Sequence, residues 1–255
     1  MSLLKIDSLS IQFGGVVALD GVSFEVEAGT IMGLIGPNGA GKTTVFNCIT
    51  RVYQPNQGSI QFQDQDLLRL APHEIIRAGA ARTFQNLELF NSMTVLENLL
   101  VGQHAALHAN AAEAAFSLPR SRAEERLAIE RTNEILDFLR LEDQRDIVVS
   151  GLPFGTKKRV ELARAMVSRP RLLLLDEPAN GLSRGEVEEL IDLVKSLRDQ
   201  LGITILLVEH HMGLVMAVTD RVTVLSFGRK IAEGTPDEVQ RDPAVIEAYL
   251  GETVA

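Results

Sequence analysis

Near the start of the chain, apolar and polar residues alternate along residues 3–13 and again along residues 22–26. Alternation with a period of two is typical of strands that have one buried and one exposed face. Two turn-favouring pairs, Asp20-Gly21 and Ala28-Gly29, punctuate these runs. The pattern predicts half-exposed antiparallel strands at the amino end.

Four later runs lack this alternation and are almost wholly apolar, which is typical of strands covered on both faces. They are Ile31–Ile35, residues 172–175, Thr204–Val208 and residues 222–225. Between the second and third runs, Arg184–Leu201 repeats apolar residues at the spacing of one helical stripe. Strand, helix and strand alternate, which predicts an α/β core around a mainly parallel, buried sheet.

Residues 87–167 differ from this core, because they contain no convincing buried strand and are rich in Ala, Glu, Arg and Leu. We expect a helical subdomain there. It would be inserted between segments 1–86 and 168–255 of the α/β core, so that residues 1–255 form one domain.

Two further helical patterns stand out. Residues 120–140 predict an amphipathic helix whose apolar stripe includes Leu127, Ile135 and Leu139. A solvated helix is the preferred interpretation, and a partner-docking helix is the alternative. Residues 236–250 predict two short helices that stay within the domain.

Composition narrows the class of protein. With 45% hydrophobic and 23% charged residues among 255, the chain is typical of globular proteins and not of disordered ones. Its 25 basic and 34 acidic residues give a net charge of -9, which disfavours nucleic acid as a partner. A single cysteine, the lack of an apolar run long enough for a membrane span and the lack of an export signal predict a cytoplasmic location.

A glycine-rich segment, called the phosphate loop below, fits the pattern G-x-x-x-x-G-K-[ST] between an apolar run and a predicted helix from Lys42 toward Ile49. Its residues are Gly36, Pro37, Asn38, Gly39, Ala40, Gly41, Lys42 and Thr43, with Thr44 after them. Glycines let successive N–H groups curl around a phosphate, and the helix amino terminus adds positive potential. Lys42 can reach the outer phosphates and Thr43 can ligate magnesium. The loop predicts a bound nucleoside triphosphate with Mg²⁺.

Two acids, Asp176 and Glu177, follow the apolar run 172–175, at the edge where open α/β sheets bind ligands. Asp176 can hold the magnesium through a water, and Glu177 can accept a proton from the attacking water. An isolated pair of this kind would be read as a solvated turn, but the phosphate loop favours the catalytic interpretation. The run Thr204–Val208 also ends in an acid and two histidines, of which His210 is a candidate contact to the γ-phosphate.

With these residues in this order, the chain resembles the nucleotide-binding subunit of an ABC transporter over essentially its whole length. Gln85 falls where that family has a glutamine that binds magnesium and water near the membrane partner. Residues 152–156, called the signature segment below, resemble the family signature. Phe13 takes the place of the aromatic residue that stacks on adenine, although by itself it is better explained as a core strand residue.

The resemblance implies ATP and Mg²⁺ as cofactors and a role for each matching position. The implied catalytic residues are Glu177, His210 as the switch histidine, and Gln85. The implied metal ligands are Thr43, Gln85 and Asp176. The implied nucleotide contacts outside the phosphate loop are Phe13, Leu152, Phe154, Gly155 and Thr156.

The signature segment departs from the usual LSGGQ. Pro153 replaces a serine whose hydroxyl and N–H would face the γ-phosphate, and proline has no N–H to donate. Thr156 replaces glutamine, and Ser183 stands where many relatives have aspartate. These differences bear on a composite site across a dimer and on its turnover. Gly155 and a helix expected to begin near Thr156 would still offer backbone N–H donors.

Within the family, the chain most resembles the ATPases of bacterial branched-chain amino-acid importers. The features concerned are an insertion around residues 104–126, Phe-Gly-Gly near the start, Glu-His-His-Met, and the tail at residues 246–252. ATPases of urea or amide importers and of lipopolysaccharide export are the alternatives within the family. Outside transport, a soluble ABC ATPase acting on DNA or ribosomes and a regulatory ATP-binding module are the rivals.

The resemblance also implies partners. They are a second ABC ATPase subunit, identical or paralogous, integral membrane permease subunits, and an extracytoplasmic solute-binding protein that acts indirectly. Two such subunits would sandwich two ATP molecules head to tail at the inner face of the membrane, and hydrolysis would reopen the pair. The groove beside Gln85 and the helical subdomain is the expected docking surface for the permease.

Overall fold

The computed structural model describes residues 1–103 and 119–250. The insertion predicted around residues 104–126 therefore lies mostly outside the described residues, and so do residues 251 and 252 of the tail. None of the helices in the described segments combines the length and the apolarity needed to cross a membrane.

The first sheet is antiparallel and has the strand order β2-β1-β4-β5. Its strands are β1 (Ser2–Phe13), β2 (Val16–Glu27), β4 (Gln57–Phe62) and β5 (Gln65–Asp66). Buried and exposed positions alternate along most of β1 and β2, and the buried side chains join a core cluster shared with the second sheet. The antiparallel strands predicted from the alternating pattern are confirmed.

The turn between β1 and β2 lies elsewhere than predicted. It is formed by Gly14 and Gly15, whose φ angles are 50° and 90°. Asp20-Gly21 instead lies inside β2, where the register with β1 shifts. Gly21 has a φ of 66° and donates its N–H to Ser10 Oγ at 2.9 Å. The Asp-Gly pair thus marks an irregularity within a strand, a use of glycine that a local turn pattern does not distinguish.

The second sheet has the order β10-β9-β3-β8-β7-β6. Its strands are β3 (Ile31–Ile35), β6 (Ala80–Arg82), β7 (Leu172–Asp176), β8 (Thr204–Val208), β9 (Arg221–Ser226) and β10 (Arg229–Gly234). All neighbours are parallel except β10, which is antiparallel to β9. Every residue of β3, β7 and β8 is buried. The predicted parallel, buried sheet is confirmed.

The strand order determines where the candidate site lies. β8 is between β3 and β7, and its last residue, Val208, pairs with Leu34 of β3 and with Asp176 of β7. Because these strands are parallel, the segments that follow them leave the sheet from the same edge. The phosphate loop, the two acids and His210 therefore share one edge.

Six helices of the described residues accompany these sheets. They are α1 (Lys42–Ile49), α2 (Pro72–Ala78), α6 (Arg184–Leu201), α7 (Met212–Val218), α8 (Pro236–Gln240) and α9 (Pro243–Leu250). The helices predicted after Lys42, at Arg184–Leu201 and near the carboxyl end are confirmed. Val187, Val194 and Leu197 of α6 are buried, as expected for one apolar stripe against the sheet.

The helical subdomain contains α3 (Val95–Gln103), α4 (Pro119–Phe138) and α5 (Phe154–Met166). No strand occurs in the described part of residues 87–167. The helical character is confirmed, while the boundaries drawn at residues 86 and 168 stay a prediction. Leu127 was wrongly assigned to the apolar stripe, since it is 44% exposed and lies beside the buried face. That face consists of Ala128, Thr132, Ile135 and Leu136, and it continues to Leu139.

Candidate active site

The phosphate loop joins β3 to α1 and is wedged between β9 and β2. A Cβ atom on Gly36 would lie 2.0 Å from the carbonyl oxygen of Leu225, and one on Gly41 would lie 2.8 Å from that of Ala18. The φ angles of these glycines are 148° and 102°. Side chains are excluded at both positions, so the backbone itself forms the wall of the loop.

Lys42 lies over this loop. It is 7% exposed, and its ammonium donates to the carbonyl oxygens of Gly36 and Pro37 at 2.6 and 2.9 Å. Thr43 and Thr44 follow in the first turn of α1, and Thr43 is exposed. A cation and a helix amino terminus at one place create a positive potential that suits phosphate.

Two of the predicted catalytic residues, Gln85 and His210, approach the same carboxylate oxygen of the third, Glu177. Nε2 of Gln85 donates to Oε2 of Glu177 at 2.7 Å, and Nδ1 of His210 lies 3.8 Å from the same oxygen. Glu177 has a φ of 46°, and its N–H donates to the carbonyl oxygen of Val208 at 2.9 Å. A left-handed backbone is strained for a residue with a Cβ, and such strain persists where surrounding bonds hold it. The bond to β8 holds Glu177 in this conformation.

Asp176 is 2% exposed and pairs with an arginine that the sequence analysis did not single out. Nη2 of Arg82 lies 2.6 Å from Oδ2 of Asp176. Nη1 of the same arginine donates to Oδ1 of Asn47, on α1, at 2.7 Å. One guanidinium therefore joins the acid to the helix that begins with Lys42. The available sequence signal was a basic residue at the end of a short apolar segment.

Glu209 was also missed, although it is completely buried. Its Oε1 accepts the N–H of Ala179 at 2.8 Å, and its Oε2 accepts the N–H groups of His210 and His211, each at 2.9 Å. This carboxylate ties the loop after Glu177 to the loop that carries His210. An acid directly after an almost wholly apolar strand was the signal that could have identified it.

The signature segment packs against the amino end of α6 and the loop before it. A Cβ on Gly181 would lie 2.8 Å from the ring of Phe154, and a Cβ on Gly155 would lie 2.0 Å from Oε1 of Glu186. Phe154 is nonetheless 47% exposed. The signature segment thus packs against residues 181–186, whereas the other site residues lie at the edge of the parallel sheet.

The helix at the signature begins earlier than expected. α5 starts at Phe154 with Pro153 as its N-cap, two residues before Thr156. Proline is tolerated there because the first N–H groups of a helix have no partner within the helix. The N–H groups of Gly155 and Thr156 belong to the first turn, where they are available to an anion.

Phe13 is not part of the buried core. It is 44% exposed and makes an edge contact with the ring of Tyr53, with the ring centroids 5.0 Å apart. Tyr53 follows α1 and donates its N–H to the carbonyl oxygen of Asn47 at 3.0 Å. Phe13 therefore keeps ring surface available for stacking near the carboxyl end of α1.

The predicted metal ligands suit magnesium by their chemistry. No cluster of three or more His, Cys, Asp or Glu side chains able to hold a metal occurs among the residues that the structure describes. The candidates instead supply a hydroxyl from Thr43, an amide oxygen from Gln85 and a carboxylate from Asp176. Mg²⁺ prefers oxygen ligands and usually takes one or two carboxylates together with phosphate and water. This set fits a metal that arrives with a nucleotide.

A cleft of about 620 Å³ separates α5 from α6. Thr83 and Phe84, just before Gln85, form part of its wall together with Glu161 of α5 and Leu190 of α6. Glu161 is 2% exposed and accepts the N–H of Phe84 at 3.2 Å. Burial raises the pKa of this carboxyl, opposed by the nearby cations Lys158 and Arg164.

Comparison with known families decides what kind of site this is. The family model described as "ABC transporter" matches residues 19–180, a stretch that includes the phosphate loop, Gln85, the signature segment and both acids. The chain belongs to this family of ATP-hydrolysing transporter subunits. A second model, described as "Branched-chain amino acid ATP-binding cassette transporter", matches residues 229–255. The family and fold predicted from the sequence are confirmed.

Individual ABC proteins match almost the whole chain. The high-affinity branched-chain amino acid transport ATP-binding proteins BraF of Pseudomonas aeruginosa and LivG of Escherichia coli are each 44% identical over 98% of both chains. A solved ATP-binding cassette of an ABC transporter in its ADP conformation is 34% identical, with a TM-score of 0.86 over 98% of this chain and 99% of that one. The ABC ATPase domain of this chain therefore binds nucleotide. The roles of individual residues stay predictions.

Proposed function

We propose that this chain is the ATP-hydrolysing subunit that energises import of branched-chain amino acids. The observation that supports ATP hydrolysis is that Gln85 and His210 both lie close to the carboxylate of Glu177, at the sheet edge that also holds the phosphate loop. The names of its near-full-length relatives, and the family model matched by its carboxyl end, support the solute class.

In this proposal the phosphate loop binds the β- and γ-phosphates of ATP. The ammonium of Lys42 exchanges the carbonyl oxygens of Gly36 and Pro37 for phosphate oxygens, which accept stronger bonds because they are negatively charged. The exposed part of Phe13 stacks on adenine. Mg²⁺, held by Thr43, Asp176 and Gln85, would offset charge on the phosphates and orient them.

Glu177 acts as the general base. Its Oε2 is occupied by Gln85 and faces His210, which leaves Oε1 to accept a proton from the attacking water. Gln85 and His210 hold the carboxylate in place, and His210 also contacts the γ-phosphate. The exposed edge of this cluster allows a nucleotide to enter from solvent.

A second ABC ATPase subunit, identical or paralogous, completes each site. The first turn of α5 in one subunit would supply N–H groups from Gly155 and Thr156 to the γ-phosphate bound by the other. Phe154 lies on that surface, whereas Leu152 is 8% exposed and packs in the hydrophobic core. Loss of the γ-phosphate removes contacts to both subunits, and this differential affinity reopens the pair.

The permease subunits dock beside Gln85, at the inner face of the membrane. Phe84, directly before Gln85, and Phe90 and Val101, at the start of the helical subdomain, are 43%, 47% and 40% exposed, so apolar side chains are open to contact with a partner. An extracytoplasmic solute-binding protein would act through the permease. Movement of the Gln85 loop would then transmit contacts between the permease and Glu177.

The test reconstitutes the cassette with its neighbouring permease subunits and solute-binding protein in vesicles. We expect leucine, isoleucine or valine on the binding-protein side to stimulate ATP hydrolysis and to be taken up. Glu177→Gln should abolish uptake, while Glu188→Gln, an exposed change on α6, should not. Stimulation by urea, short amides or lipopolysaccharide in place of these amino acids would refute the solute assignment. Hydrolysis that is indifferent to any permease would refute a transport role.

A further inference from the structure

Arg82 forms a buried ion pair at the centre of the candidate site. Its side chain is 7% exposed, that of Asp176 is 3% exposed, and Nη2 lies 2.6 Å from Oδ2. The strands that carry them, β6 and β7, are parallel neighbours. Only one carboxylate oxygen of Asp176 is taken by this contact.

The guanidinium is fixed by groups other than Asp176. Nη1 donates to Oδ1 of Asn47 at 2.7 Å. The guanidinium carbon also lies 5.4 Å from the ring centre of Phe46 and 5.2 Å from that of Phe84, which suits cation–π contacts. Asn47 and Phe46 belong to α1, and Phe84 directly precedes Gln85. Arg82 therefore contacts the phosphate-loop helix, the metal-binding acid and the glutamine loop together.

Stability alone is a poor explanation for this arrangement. Burying two charges is costly, and well-packed apolar side chains of similar volume are often as stable or more stable. The Nε of Arg82 is buried without a hydrogen-bond partner in the described residues, which adds a further penalty. A group retained at such a cost is a candidate for a role in the site.

We propose that Arg82 is a positioning residue for the metal-binding carboxylate. By holding Oδ2, it fixes the orientation of the Asp176 carboxylate and leaves Oδ1 as the oxygen available to the Mg²⁺ of bound ATP. Through Phe84, the same guanidinium links the position of Asp176 to the loop of Gln85. This inference rests on the proposed binding of Mg²⁺-ATP.

The test separates nucleotide binding from metal binding in the full-length chain. Arg82→Met removes the charge and keeps most of the length, and Arg82→Lys restores a charge without the planar fork. With EDTA present, we expect a fluorescent ATP analogue to bind both variants within about twofold of wild type, because the phosphate-loop contacts are untouched. Electron paramagnetic resonance measures the affinity for Mn²⁺ in the presence of nucleotide. We expect this affinity to fall about 10-fold or more in Arg82→Met and less in Arg82→Lys.

Two comparisons make the result specific. Arg198 also pairs with aspartates, Asp199 at 2.7 Å and Asp220 at 3.0 Å, but it lies outside the site. Arg198→Met should therefore leave Mn²⁺ binding unchanged. If Arg82 acts through Asp176, the double variant Arg82→Met/Asp176→Asn should bind Mn²⁺ no more weakly than Asp176→Asn alone.

Unchanged Mn²⁺ affinity in Arg82→Met, with only a lower unfolding temperature, would overturn the inference and make the pair structural. Additive losses in the double variant would also overturn it. If Arg82→Met does not fold, Arg82→Lys and Asn47→Ala provide the same comparison with smaller expected losses. Failure of the wild-type chain to bind Mn²⁺ with nucleotide would instead refute the proposed function.

Discussion

The side-chain amide of Gln85 donates a 2.7 Å hydrogen bond to Oε2 of Glu177, a residue 92 positions later in the chain. The two residues follow the neighbouring strands β6 and β7, so the parallel sheet brings them to one edge. The bond orients the proposed base and connects it to the side of the protein where the permease is expected to dock. Motion of the glutamine loop would therefore change the position of the base.

Replacing the base should separate binding from hydrolysis. In Glu177→Gln we expect ATP affinity to stay near that of wild type, while kcat falls by about 10²-fold or more, because the amide keeps the shape but cannot accept the proton. Steady-state phosphate release and binding of a fluorescent ATP analogue measure the two effects. Glu188→Gln is the control, since that glutamate is exposed on α6. Near-normal turnover in Glu177→Gln would disprove the base assignment.

Lys42→Ala should act on nucleotide binding. The ammonium lies in the phosphate loop, 2.6 Å from the carbonyl oxygen of Gly36, and its loss removes a charge-assisted contact to phosphate. We expect ATP affinity to fall by about 10-fold to 100-fold, which corresponds to about 1.4 to 2.7 kcal/mol. Isothermal titration calorimetry measures this change. Lys5→Ala, at an exposed lysine paired with Glu25, should bind ATP like wild type. Equal affinities for the two variants would contradict the role of the loop.

Glu209 should affect turnover more than nucleotide affinity. Glu209→Gln replaces an oxygen that accepts backbone N–H groups with an NH₂ group that cannot, so the loops of Ala179 and His210 lose a common anchor. We expect kcat to fall about 10-fold and the free energy of unfolding to fall by about 1–3 kcal/mol. Urea unfolding and ATPase assays test both effects.

A matched control for this variant is Glu238→Gln. Glu238 also accepts a backbone N–H, from Thr235 at 2.8 Å, but it is exposed at the start of α8. It should leave kcat unchanged. If Glu209→Gln lowers stability with no change in kcat, the carboxylate supports the fold and does not position His210.

The buried carboxyl of Glu161 should give stability a pH dependence. Burial raises its pKa in the folded protein above the ordinary value of 4.5, so the folded state holds this proton more tightly than the unfolded chain. Its contribution to stability is therefore greatest at low pH and is lost as pH rises from 4.5 through the folded-state pKa.

Glu161→Gln removes this titration. Compared with wild type, the variant should gain relative stability as pH is raised from about 4.5 to 7, as measured by urea unfolding at each pH. A constant difference between Glu161→Gln and wild type across this range would contradict the raised pKa.

Local patterns were sufficient for the phosphate loop, the acidic pair and the main strands. A phosphate loop needs glycines and a lysine at fixed spacing, so Gly36 and Lys42 are recognisable within eight consecutive residues. Buried parallel strands are continuously apolar, which made β3, β7 and β8 visible in the chain. The family followed from the order of these motifs.

Misplaced elements came from signals that are ambiguous over short stretches. Asp-Gly favours a turn, but Gly21 accommodates a register shift inside β2. Leu127 lies one position from Ala128 on α4, and only packing against neighbouring helices decided which of the two is buried. The start of α5 at Phe154 depended on the conformation of Pro153, which many extended segments share.

By itself the sequence determined the features that are contiguous along the chain: a glycine-rich loop that ends in Lys42, acids that follow a buried strand, and the strand pattern that carries them. Only the tertiary structure decided that Arg82 pairs with Asp176 and that Glu209 anchors the loops of Ala179 and His210. The physical reason is that the contact between Arg82 and Asp176 and the contact between Ala179 and Glu209 each satisfy a buried charge or N–H group with a partner from a distant segment. Such pairing depends on strand order and packing, which leave no fixed spacing in the sequence.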